Sequence, residues 1–162
     1  MLIRGTTVAS PAPFSSPLRP ARSRATVHVD DLPGLQDAEF STAVESQIPI
    51  VAERAMYFNY FFKGGGHDAL GVKQLSDEWY FAEGYTAQEF DTYLLLQNAG
   101  SETIGATLTF MRGDGSSVVQ EVIILPHSRY TVHVDELPGL EETEFSTLVE
   151  SEAPIVAERA MY

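Results

Sequence analysis

The sequence predicts an all-β chain: an immunoglobulin-like antiparallel β-sandwich repeat, preceded by part of another copy of the same repeat. Three observations lead there. Short runs of alternating apolar and polar residues recur at close spacing with turn residues between them. No stretch carries a sustained helical period. The stretch TVHVDDLPGLQDAEFSTAVESQIPIVAERAMY at residues 26–57 returns without a gap as TVHVDELPGLEETEFSTLVESEAPIVAERAMY at residues 131–162, a constant offset of 105. A fixed long period marks a tandem array rather than a single globular domain.

The two copies differ at only seven of 32 positions, namely Asp31, Gln36, Asp37, Ala38, Ala43, Gln47 and Ile48 of the first, and most changes exchange one polar residue for another. Four segments follow. Residues 1–20, rich in Pro, Ser and Arg, read as irregular or disordered. Residues 21–57 supply the last three strands of a preceding sandwich. Residues 58–75, with the run FKGGGHDALGVKQ, form a Gly-rich connector. Residues 76–162 make the complete sandwich.

Within that sandwich the strands fall in order. WYFAEGY at 79–85 opens it, and residues 92–97 follow. In TLTFM, Leu108 and Phe110 alternate with Thr107, Thr109 and Met111. Asp114 and Gly115 then mark a tight hairpin into residues 118–125, because Asp-Gly tolerates positive φ. In YTVHVD, Tyr130, Val132 and Val134 alternate with Thr131, His133 and Asp135. Residues 145–150 and 155–162 close the domain as two strands. Pro154 stands at the entry to the second, where its missing N–H costs no ladder bond.

Composition narrows the function classes. With 162 residues, 44% of them hydrophobic, the chain can bury a core. Ten basic against 23 acidic residues give a formal charge of −13, which repels phosphate backbones and anionic bilayers. Nucleic acid is therefore not an expected partner, and neither is membrane insertion: no apolar run nears the roughly 20 residues a spanning helix needs. The first residues have no apolar core of the kind an export signal requires. The absence of cysteine removes disulfides and thiolate chemistry.

The candidate site residues each have a structural reading beside the functional one. Glu53 and Arg54, like Glu158 and Arg159, are adjacent in a strand and must point to opposite faces, so one of each pair turns inward and needs a partner or the sandwich rim. All four are expected in structural ion pairs. Trp79, Tyr80 and Tyr85, with Phe81, could stack on a sugar ring, although strand alternation sends Trp79 and Phe81 one way and Tyr80 the other. His67 and Asp68 could act as an acid–base pair or ligands, but one His and one Asp are too few for zinc. Arg112, Gly113 and Asp114 spell an adhesion tripeptide that the hairpin turn also explains. The acidic residues Asp135, Glu136, Glu141, Glu142 and Glu144 lack the regular spacing of a calcium loop. His28 and His133 read as equivalent exposed positions, not as a metal site. No catalytic residue, metal or cofactor is expected.

The motifs WYFAEGYT at 79–86, FDTYLLLQN at 90–98, SRYTVHVD at 128–135, GGHDALG at 65–71 and PIVAERAMY at both 49–57 and 154–162 together resemble a repeat of unknown function. That repeat belongs to large secreted or cell-envelope proteins of actinobacteria and their relatives, where it sometimes stands beside a peptidase or another enzyme. The resemblance spans about residues 24–162. It implies an extracellular or cell-surface location and a non-catalytic structural, spacer or adhesion role, the alternative being a carbohydrate- or ligand-binding accessory domain. Neighbouring repeats are the expected partners. The open edges of residues 21–57 would leave this segment either locally disordered before about residue 50 or available for self-association.

Overall fold

The structure, a computed structural model, describes residues 20–60 and 63–162; the segment expected to be irregular, 1–20, lies outside them except for Pro20. The fold is all-β, with eight strands among the described residues: β1 Glu53–Tyr60, β2 Lys63–Leu70, β3 Ser76–Tyr85, β4 Thr92–Asn98, β5 Ile104–Arg112, β6 Ser117–Ile124, β7 Ser128–His133 and β8 Glu144–Met161. Two short 3-10 turns, Val29–Asp31 and Val134–Glu136, occupy equivalent places in the two copies. The chain divides into two compact units, 1–42 and 43–162.

The second unit holds a sandwich-like pair of antiparallel sheets that share β8. The first half of β8 pairs with β5 along one edge, from Phe145 opposite Arg112 to Ser151 opposite Ala106, and with β3 along the other. Its second half, from Val156 opposite Gln97 to Met161 opposite Thr92, pairs with β4, which pairs in turn with β7. β6 completes the β5 edge. Where two separate strands were expected at 145–150 and 155–162, one 18-residue strand runs through. Ala153 and Pro154 do not end it, because the missing N–H of Pro154 falls where neither β5 nor β4 pairs with β8.

Alternation does what the sequence implies. Leu94, Leu96, Leu108, Phe110, Ile124, Val149 and Ile155 are at most 1% exposed, and Trp79 and Phe81 pack against them. Each large apolar side chain withdrawn in this way contributes on the order of 1.5–3 kcal/mol. The β5–β6 turn closes with only Gly115 at positive φ (+84°), while Asp114 stays in the ordinary region. Gly115 N–H donates to Arg112 O and Arg112 N–H to Ser116 O. The turn is thus longer than the two-residue form an Asp-Gly pair suggests.

Two segment expectations need correction. The Gly-rich stretch is not a loose connector, for β2 lies antiparallel to β1 with Met56 opposite His67 and Phe58 opposite Gly65. Glycine is suited to this strand because aromatic rings cross it: a β-carbon at Gly65 would stand 2.7 Å from Phe58 Cε2. The compact unit accordingly begins near Ala43 rather than at residue 76. Residues 20–52 carry no strand, so of the three strands expected in 21–57 only β1 forms. Val44, Ile50 and Val51 there are exposed, with no strand among the described residues 20–52 to receive their apolar faces.

Candidate functional site

The residues that converge most closely lie at one end of the β4–β7 pair. Leu94, Leu96 and Val132 point into the core, so the alternate residues Tyr93 and His133, directly opposite one another, face outward together. Their rings stack, with centroids 4.5 Å apart and planes 11° from parallel. Immediately after His133 the 3-10 turn swings the chain so that Asp135 Oδ2 accepts the Thr92 N–H at 2.8 Å. Asp91 is placed by its backbone, which exchanges both hydrogen bonds with Tyr162 at the end of the chain described.

The result is a histidine between carboxylates. His133 Nε2 lies 3.4 Å from Asp91 Oδ1 and 3.6 Å from Asp135 Oδ2, and Nδ1 lies 3.2 Å from Glu136 Oε1. Nε2 is buried and makes no hydrogen bond. Burial raises the Asp135 carboxyl above its ordinary value; the Thr92 N–H opposes this, and the nearby Asp91 charge adds to it. Ligand atoms of Asp91, His133 and Asp135 all fall within 4.8 Å of one another. Two carboxylates this close, partly withdrawn from water, repel unless a positive charge stands among them.

Much of this arrangement is local. In the first copy His28 Nδ1 lies 3.0 Å from Asp31 Oδ2 and Nε2 lies 3.6 Å from Asp30 Oδ2. The sequence His-Val-Asp-Asp/Glu entering a 3-10 turn therefore sets the His and both following acids. Asp91 alone is brought by the tertiary fold.

A second cluster joins the two copies. Arg54 in β1 pairs with Glu158 in β8, and the Arg54 Nη2 also lies 3.0 Å from His67 Nδ1. Phe58 meets Tyr162 edge-on at 4.6 Å, and Tyr162 in turn touches Tyr93. Burial keeps the Tyr162 phenol above its usual pKa. Ala160, on the outward side of β8 with Glu158, is nevertheless only 1% exposed, on the face where Arg54 and Phe58 of β1 meet Glu158 and Tyr162.

Of the four residues expected in ion pairs, Arg54 and Glu158 pair across the copies. Glu53 is exposed on the far side of β1. Arg159, the inward member of its pair, reaches the rim and donates to the Glu83 carbonyl. The aromatic candidates do not form one platform. Trp79 is half-buried and donates its indole N–H to Ser76 O, Tyr80 is 70% exposed, and Tyr85 packs edge-on against Phe90. The adhesion tripeptide is engaged internally: Arg112 donates to Gly139 O and Ser116 Oγ, while Asp114 accepts from both the N–H and the hydroxyl of Ser116. His67 is tied to Arg54, and Asp68 lies exposed. The acidic run divides, Asp135 and Glu136 turning to His133 while Glu141 and Glu142 stay exposed.

Reading the sequence missed the meeting of Asp91 with His133, 42 residues later. The available signal was the retention of His-Val-Asp followed by a second acid in both copies, which exposed positions alone do not require.

No protein-family model matches the chain, and no curated protein does. Among solved structures the chain is similar to the crystal structure of Thermotoga maritima 1070, at 28% identity and a TM-score of 0.49 over 52% of this chain and 78% of that one. It is also similar to the Anabaena sensory rhodopsin transducer, at 22% identity and a TM-score of 0.48 over 57% of this chain and 92% of that one. Among the described residues no helix is long and apolar enough to cross a membrane.

Proposed function

We propose that this chain is part of a tandem array of immunoglobulin-like sandwich repeats serving as a non-catalytic structural spacer in a secreted or cell-surface bacterial protein. The observation that carries the reading is the joint between copies. The closing strand of the first copy becomes β1, and its Arg54 and Phe58 engage Glu158 and Tyr162 of the closing strand of the second. A repeat that docks the tail of one copy on the outer sheet of the next transmits orientation along the array, as a spacer must. The strongly acidic surface keeps such an array soluble and apart from its neighbours.

The joint is partly open to water, with Arg54 35% and Glu158 30% exposed. Its ion pair therefore falls between exposed pairs, worth about 0–1 kcal/mol, and buried ones, whose rupture costs about 3–5 kcal/mol. Arg54→Ala should loosen the ribbon by about 1–2 kcal/mol, a roughly tenfold faster amide exchange at Met56 and Phe58, with Leu94 and Leu108 unchanged. A chain of three consecutive repeats should scatter X-rays as a stiff rod, and the same substitution in every copy should make it flexible. A wild-type array that scatters as freely jointed beads would refute the spacer reading.

A further inference from the structure

We propose that Asp91, His133 and Asp135 form a binding site for one divalent first-row transition ion of the zinc type, with Glu136 and Thr92 as its supporting partners. This goes beyond the spacer reading and does not depend on it.

The geometry fits such an ion in three respects. Zinc sits about 2.0–2.2 Å from imidazole nitrogen and carboxylate oxygen, so two ligands at a tetrahedral angle stand about 3.4 Å apart. The separations from His133 Nε2 to the two carboxylate oxygens are 3.4 and 3.6 Å. The ring is also placed for ligation. Glu136 Oε1, 3.2 Å from Nδ1, can accept a ring proton there, and a ring in that tautomer offers Nε2 on the side where Asp91 and Asp135 stand. Finally, Nε2 is buried with no hydrogen-bond partner, a costly arrangement that coordination would relieve.

The support around the ligands is the kind a metal site needs. Tyr93 stacks on the imidazole, the Thr92 N–H holds Asp135 Oδ2, and the paired backbone bonds to Tyr162 hold Asp91. Three protein ligands leave a fourth position for water. Nitrogen and oxygen donors with one imidazole favour zinc, cobalt, nickel or manganese over calcium, which takes six to eight oxygens. His28 with Asp30 supplies only two such donors, so the first copy serves as an internal control.

The test is calorimetric titration of the full 162-residue chain, stripped with EDTA, using ZnCl2 and separately CoCl2. One saturable equivalent is expected. His133→Asn should weaken it by well over tenfold, Glu136→Gln by about tenfold with all three ligands intact, and His28→Asn not at all. Should His133→Asn fail to fold, the wild type decides: added Zn2+ should shift the His133 ring nitrogen resonance and leave that of His28 in place. Absence of saturable binding, which would mean a proton on Nε2 neutralises the cluster instead, overturns the proposal. Full binding retained in His133→Asn, equal loss in His28→Asn, or an unmoved His133 resonance also overturns it.

Discussion

Gly84 is the position at which a single methyl group should distinguish backbone preference from packing. It sits buried in β3 opposite Phe145 of β8, next to a break in the β3–β8 register. Its φ is not positive, so alanine is allowed there by the backbone, and in an open strand Gly→Ala would gain about 0.5–1 kcal/mol. The obstacle is Phe145. A β-carbon at Gly84 would stand 2.6 Å from its Cζ and 2.8 Å from its Cδ2. The ring cannot simply turn aside, being 5% exposed and set edge-on against the fully buried Phe110, with centroids 5.5 Å apart. Overpacking of this kind costs about 1–3 kcal/mol, which exceeds the backbone gain. Gly84→Ala should therefore destabilise by about 1–2 kcal/mol, or roughly 3–7 °C in melting temperature for a domain of this size. Phe145→Ala alone should cost about 3–5 kcal/mol, but adding Gly84→Ala to it should be neutral or favourable. Urea unfolding of the two single variants and the double variant measures the coupling. A neutral or stabilised Gly84→Ala in the wild-type background would show that the ring does not dictate the glycine.

Further predictions concern polar anchors. Asn98, 2% exposed, donates to Glu102 O at 2.7 Å, Leu125 O at 3.1 Å and Ile124 O at 3.2 Å, and accepts from Gly100 N–H at 2.9 Å. Asn98→Ala strands the buried Ile124 carbonyl and opens three part-buried bonds beside it, and should cost about 1–3 kcal/mol in urea unfolding; a loss below about 0.5 kcal/mol would mean water replaces the amide. At the β5–β6 turn the Ser116 hydroxyl, then its N–H, hold the Asp114 carboxyl below its ordinary value of 3.8. A depressed acid lends stability that is present above 3.8 and lost as pH falls through the lower folded value. Ser116→Ala should move the Asp114 NMR titration back toward 3.8, and the stability gap between the two proteins should close as pH falls below that value. An unmoved titration would assign the shift elsewhere.

Strand identity in the second copy was legible because each side chain's fate follows from alternation alone. TYLLLQN at Thr92–Asn98 buries every second residue, and β5 does the same through Phe110. Period two required one of Glu158 and Arg159 to turn inward without saying which; Arg159 does, and it meets the Glu83 carbonyl rather than the acid an ion pair would need. The 105-residue repeat is a property of the sequence and needed no coordinates. The single run of β8 through two sheets was not legible, since a strand that changes partners has the same alternation as two strands joined by a short turn. Nor was the strand character of the glycine run, which depends on the Phe58 ring lying over Gly65.

The two copies separate these levels within one chain. Glu-Phe-Ser-Thr occurs at Glu39 and again at Glu144, yet only the second is strand. Val149 is fully buried while its counterpart Val44 is 60% exposed, and Ile155 is fully buried while Ile50 is 52% exposed. Sequence determined the propensity, the local His-Val-Asp turn and the charge. The tertiary structure decided which copy becomes sheet, because the apolar face of a strand stabilises it only against opposing strands, and β3, β4 and β5 stand beside the second copy. It likewise decided that Asp91 joins His133, since residues 42 apart meet only when β4 and β7 pair.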